Sequence, residues 1–296
     1  MRLNNLNVKT GRDTYWQAIR GICIILVVII HCRNGISYKP SWNYHYWNIM
    51  RQLINFPVAT FFFLSGYFEK GAANGESNIL RIYKRAIKIL IPFIFWSILY
   101  TVISLIYRRD SYDLASIFSN ILLGKSAGHL YFIFVLLQFT LLSPILIKMT
   151  TSRMGSAIIF SITPLFLILT YTMARGGDSN FQPQLFFPAW VFFYYLGLWV
   201  KKNGKNQMKI TPAIILCCTT VCLSIVESYV LMKLNYSDSF VTSQIRFSSF
   251  LYALSIINLF SAIKIEASTK ANEALVYVGD CSYGIYYIPV VHNHYK

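Results

Sequence analysis

The chain has 296 residues, of which 55% are hydrophobic, 17% aromatic and only 13% charged. A mean hydropathy of +0.48 excludes an ordinary soluble domain and fits a polytopic membrane protein with no room for a large soluble unit. The net charge of +16 fits cationic loops beside a membrane better than a nucleic-acid-binding surface.

Nine apolar stretches predict membrane spans at 17–35, 49–68, 86–107, 129–148, 155–173, 184–200, 211–232, 243–263 and 275–292. The expected fold is therefore an all-α polytopic transmembrane bundle of about nine spans, with residues 1–296 as one domain. In the first span, Arg20 and His31 bracket ten residues that are apolar apart from Gly21. Eleven positions come to roughly three helical turns, so both side chains share a face about 16 Å apart. An Arg at the centre of a membrane helix costs about 2.5 to 3.5 kcal/mol. Arg20 is either a snorkelling anchor, with His31 ending the span, or the two turn inward to one polar hollow and mark a site. Arg20 interrupts the polar-to-apolar transition and no small-x-small site follows, so the first span is expected to stay as a signal anchor.

Ser65-Gly66 in the second span reads as a small pair for close helix packing, or as a nucleophile without a Gly-x-Ser-x-Gly elbow. Arg81, Lys84, Arg85 and Lys88 lead into the third span. Headgroup anchoring explains such a cluster, but Arg85 and Lys88 are three apart, share a face and can clamp a phosphate-rich cofactor. Leu114 to Leu123 is too short to cross and is expected to lie at the interface. His129 opens the fourth span, either as an interfacial residue or as a second polar wall beside His31. Glu227, inside the seventh span, needs a partner, and Arg246 at the start of the eighth is expected to form an ion pair with it. Pro57, Pro92, Pro144 and Pro164 predict kinks. Six cysteines lie mostly in apolar runs, and their spacing supports neither a metal site nor a disulfide framework. His292 and His294 are expected to be exposed.

With the N-terminus in the cytoplasm, 17 of the 27 Lys and Arg residues fall on the cytoplasmic side. Arg20 is then near the cytoplasm and His31 towards the outer leaflet. Arg33, Lys39, Trp42, Tyr44 and Trp47 form an outer aromatic belt or stack on a sugar.

Taken together, five segments in order resemble the acyltransferase 3 family of integral membrane O-acyltransferases. Arg20-x10-His31 is similar to the family's Arg-x10-His element. Phe61-Phe62-Phe63-Leu64-Ser65-Gly66-Tyr67 resembles its Phe-Phe-x-x-Ser-Gly-aromatic span. Lys84 to Trp96 resembles its basic entry to a Pro-aromatic-Trp span. His129-Leu130-Tyr131-Phe132 resembles its His-Leu-Trp-Phe, and Ser282-Tyr283-Gly284-Ile285-Tyr286 its C-terminal Ser-aromatic-Gly-Ile-Tyr. The resemblance covers roughly residues 13 to 291. The chain departs from the pattern at Gln17, where members often have Asp, and at Pro289, where many have His. The family commonly has ten spans, so the last one looks absent here.

The resemblance implies transfer of an acyl group, usually acetyl from cytosolic acetyl-CoA, to a hydroxyl of an envelope glycan or its lipid-linked precursor. It implies a multi-pass protein of the inner membrane that uses no metal. His31 and Arg20 are the implied catalytic pair, with His31 as general base or transient acyl carrier. Arg85 and Lys88 would meet the CoA phosphates, and Ser65, His129 and Tyr131 would line the cavity. A lipid-linked glycan flippase, which needs buried cations but no chemistry, is the first alternative, and a structural membrane subunit the second.

Overall fold

The computed structural model describes residues 14–31, 42–71, 76–108, 113–175, 182–204, 208–263 and 270–288. Arg2, Lys9, Arg12, Cys32, Arg33, Lys39, Lys205, Lys264, Pro289, His292 and His294 lie outside them, as does the side chain of Trp42. The described residues form helices α1 (Thr14–His31), α2 (Trp42–Leu53), α3 (Pro57–Tyr67), α4 (Asn78–Ile103), α5 (Leu114–Leu123) and α6 (Tyr131–Met149). Then come α7 (Arg153–Arg175), α8 (Val191–Asn203), α9 (Ile210–Lys233), α10 (Asp238–Val241), α11 (Phe247–Ala262) and α12 (Lys270–Tyr287). A π-turn, Ser104–Arg108, extends α4, and two 3-10 turns precede α8. No strand occurs among the described residues.

Five of these helices are long and apolar enough to cross a membrane: α1, α4, α6, α7 and α9. The other four predicted spans are shorter or more polar helices. The long helices carry their small polar residues inwards. On α9, Thr220, Ser224 and Ser228 are buried while Ile215, Leu223, Val226 and Val230 are exposed. On α4, Ser97 and Thr101 face inwards while Ile91, Phe95, Ile98 and Val102 face out. Water would favour the opposite arrangement; lipid, as apolar as a leucine side chain, favours this one.

Two helix crossings are close enough to need glycine. Gly21 of α1 meets α12 at Leu275 and Gly279, and a Cβ on either glycine would collide with the opposing backbone. Gly66 of α3 and Gly197 of α8 make the same kind of crossing. Ser65-Gly66 therefore serves helix packing through its glycine.

The second predicted span is not continuous. It breaks at Ile54–Phe56, between α2 and α3, because Pro57 takes the first helical position, where its missing N–H leaves no bond unmade. Pro92, Pro144 and Pro164 stay inside their helices. Pro144 frees the carbonyl of Thr140, and Ser143 Oγ donates to that oxygen at 2.9 Å. The amphipathic segment Leu114–Leu123 forms with the expected bounds, capped by Asp113, which accepts from Ser116 N at 3.2 Å.

Candidate functional site

Two cavities lie along α1. The first, of about 280 Å³, is lined by Arg20, Ser65, Phe68, Arg85, Lys88, Ile89, Leu136 and Tyr283. It brings Arg20 of α1 together with Arg85 and Lys88 of α4. The Arg20 guanidinium carbon sits 5.5 Å from the centre of the Phe68 ring, a cation–π arrangement. Arg85 and Lys88 share a face of α4, as their spacing predicts. The other two cations of that cluster turn elsewhere. Lys84 pairs with Glu76 at 3.0 Å on the surface. Arg81 is buried.

Glu69 organises this region, and the sequence reading missed it. Its side chain is 1% exposed. It pairs with Arg81 at 2.6 Å and also with Arg85, and Tyr194 Oη donates to it at 2.8 Å. Arg81 further donates to the Lys70 carbonyl at 2.6 Å and to Ser143 Oγ at 3.0 Å. Lys201 Nζ donates to the Glu69 carbonyl; burial, and then the neighbouring Lys70 charge, push its pKa below the usual lysine value. A buried carboxylate with two guanidiniums and a phenol has its charge compensated and its lone pairs engaged. Arg85 is thus aimed by Glu69 and still lines the cavity.

The second cavity, of about 540 Å³, includes His31, Tyr131, Arg51, Trp190 and Tyr286 in its wall. The His31 ring lies 5.8 Å from that of His129. His129 does not itself line the cavity. Tyr100 and Tyr286 pack edge-on against it, at 5.4 and 5.6 Å, and Tyr286 Oη donates to its carbonyl oxygen. Its Nε2 is buried without a hydrogen-bond partner. His129 therefore backs His31 from inside an aromatic box, rather than forming a second wall. Tyr131 stacks on Trp190 at 6.2 Å.

One shared hollow for Arg20 and His31 was expected, and the structure has two. No residue lines both. Cys23 and Ile24 on α1, and Phe132 and Ile133 on α6, are buried at the levels between them. Phe132 packs on Tyr286 at 5.1 Å. Helix α12 supplies Tyr283 to the first cavity and Tyr286, one turn on, to the second. Ser65 lines the cationic cavity, but its hydroxyl donates to the Phe61 carbonyl at 2.8 Å, the usual helix back-bond.

Two further expectations concern buried polar residues. Glu227 and Arg246 do pair, at 3.4 Å, with the Arg246 side chain fully buried. Tyr171 and Ser248 also donate to Glu227, and Arg246 donates to Gln52. Asn48 and Gln52 on α2, with Asn55 in the break that follows it, bind Ser228, Ser224 and Ser249. Their positions repeat at helical spacing, a signal present in the sequence. Tyr44 is buried and donates to Asp238 at 2.9 Å, so it belongs to neither a belt nor a sugar platform. At the departure noted above, Gln17 Nε2 donates to Asp280 at 2.6 Å, so a carboxylate reaches that place from α12.

Comparison with known proteins follows the same line. Residues 13–291 match a family described as an acyltransferase domain. A stretch of 86 residues is 30% identical to nodulation protein NolL of Sinorhizobium fredii, covering 29% of this chain and 24% of that protein. A stretch of 86 residues is 28% identical to nodulation protein NolL of Mesorhizobium japonicum, covering 29% and 23%. The alignments thus span only a minor part of either relative. No solved structure matches the chain.

Proposed function

Because the chain belongs to the acyltransferase 3 family, we propose that it is a multi-pass O-acyltransferase of the inner membrane. It moves an acyl group, acetyl in the simplest case, from cytosolic acyl-CoA to a hydroxyl of a cell-surface polysaccharide or its lipid-linked precursor. The observation that carries this reading is the pair of cavities on α1, one holding three cations and the other an imidazole.

With the N-terminus in the cytoplasm, the cationic cavity is the donor end. Arg20, Arg85 and Lys88 bind phosphate oxygens of the donor, where charge-assisted bonds are strongest. Its volume suits part of the donor, with the nucleotide projecting towards the cytosol. The extended pantetheine arm then runs along α1, past Ile89, Leu136 and Tyr283. For the thioester to reach His31, the packing around Phe132 and Tyr286 must open.

At the other end, His31 takes the proton of the acceptor hydroxyl as its oxygen attacks the thioester carbonyl. The carbon–sulfur bond breaks, and the departing thiolate takes the proton back from the imidazolium. Packing of His129 against it, with Tyr100 and Tyr286 behind, holds the His31 imidazole in place.

Radiolabelled acetyl-CoA and isolated envelope glycan test the reading, with mass spectrometry of the product. Label should appear in glycan with the wild type and not with His31→Ala. Label transfer that survives this substitution removes His31 from the chemistry. Translocation of lipid-linked sugar with no transfer from any acyl donor replaces the reading with a flippase.

A further inference from the structure

Tyr131 is on the wall of the His31 cavity, yet no step of the transfer described above uses it. It opens α6, two residues after His129, whose ring meets that of His31 at 5.8 Å. Backbone bonds close this turn: Ile133 N donates to the Leu130 carbonyl at 3.0 Å, and Phe132 N to the His129 carbonyl at 3.3 Å. The same turn thus carries the ring that backs His31 and a phenol that shares its cavity.

The hydroxyl of Tyr131 makes no hydrogen bond to any described residue. The other phenol of the wall differs, since Tyr286 Oη donates to the His129 carbonyl. Thr170, also in the wall, donates to the Leu167 carbonyl at 2.7 Å. Tyrosine hydroxyls removed from water usually find a partner, so an unused one beside a cavity calls for a ligand. The serines and glutamines of the wall come from other places, the turn before α8 and the segment around α10.

The ring is held although its hydroxyl is not. Tyr131 stacks on Trp190 with the two planes 21° apart. Trp190 is buried, and its Nε1 donates to the Gln184 carbonyl at 3.1 Å. A tyrosine has only two side-chain torsions, so a packed ring fixes where its O–H lies. A donor for developing negative charge needs such a fixed position, with no rearrangement when the charge forms.

We propose that Tyr131 is a catalytic residue, whose O–H donates to the thioester carbonyl oxygen and stabilises the oxyanion formed as the acceptor hydroxyl attacks. The proposal rests on the acyl-transfer reading. His31 takes the acceptor proton while the carbonyl π electrons move onto the oxygen that Tyr131 holds. When the carbon–sulfur bond breaks, those electrons re-form the carbonyl, and the thiolate takes the proton from the imidazolium. Tyr131 keeps its own proton throughout.

Tyr131→Phe in the full chain in lipid nanodiscs tests it, with radiolabelled acetyl-CoA and isolated envelope glycan as substrates. The ring stays and the lost hydroxyl bonds no described residue, so the thermal midpoint should not move. kcat should fall by about 10² to 10³-fold, the usual worth of one oxyanion donor, while KM for acetyl-CoA stays within about twofold. A residue that serves only through its ring would keep its kcat as Phe, and that result overturns the proposal. A raised KM with kcat intact overturns it too, because the hydroxyl would then be a uniform binding contact. Should the Phe variant fail to fold, 3-fluorotyrosine at position 131 decides. It is a stronger donor of nearly the same shape, so the single-turnover rate should rise, and an unchanged rate overturns the proposal. Wild type that transfers no label from any acyl donor overturns the acyltransferase reading and this proposal with it. Wild type and Phe variant that transfer alike overturn this proposal alone.

Discussion

The two cavities on α1 hold their functional groups by opposite means. The cationic one is positioned by charge: a buried carboxylate, Glu69, aims Arg85 and anchors Arg81. The His31 cavity is positioned by rings, with His129, Tyr100 and Tyr286 packed edge-on behind it. The difference fits the chemistry that the proposed function assigns to each end. A phosphate-binding guanidinium stays charged and needs a counter-ion when half-buried. A ring that moves a proton must be held in place, and packed aromatic neighbours hold it.

If the imidazole end is the chemical one, His31→Ala should reduce acyl transfer by about 10² to 10⁴-fold, the usual worth of a general base. Acyl-CoA binding, read by isothermal calorimetry, should stay as it is. A parallel loss of donor binding would erase the distinction between the ends. At the charged end, Glu69→Gln should lower stability by about 3 to 5 kcal/mol, because it strands two guanidiniums. A fall in the thermal midpoint in detergent reads this, and an unchanged midpoint would deny Glu69 its organising part. Lys88→Gln should weaken acyl-CoA binding by about tenfold and leave sugar binding alone. The smallest effect belongs to Ser65→Ala. Its hydroxyl already serves the Phe61 carbonyl, so transfer rates should stay within about twofold.

Helix spacing carried much of this into the sequence. Arg20 and His31 on one helix, Arg85 beside Lys88, the Glu227–Arg246 pair and the bounds of α5 all follow from periodicity, capping or the cost of burying charge. What the sequence concealed depends on which helices meet. Glu69 follows an apolar run and reads as an ordinary loop acid until α4 brings Arg81 and Arg85 against it. The shared hollow was expected because a common helix face says nothing about Phe132 and Ile133, which arrive from α6 and fill the middle. The break at Pro57 was legible only as a kink, since a proline inside a long apolar stretch can bend a helix or start a new one.

Gly21 and Gly279 leave no slack where the first and last described helices touch. Each of those helices reaches both chambers, so sliding one past the other would drive backbone into backbone. They act as a fixed spine. On the proposed function, traffic between donor and acceptor would be admitted by the facing side, where Phe132 and Leu136 ride on a helix whose backbone ladder is already interrupted at Pro144.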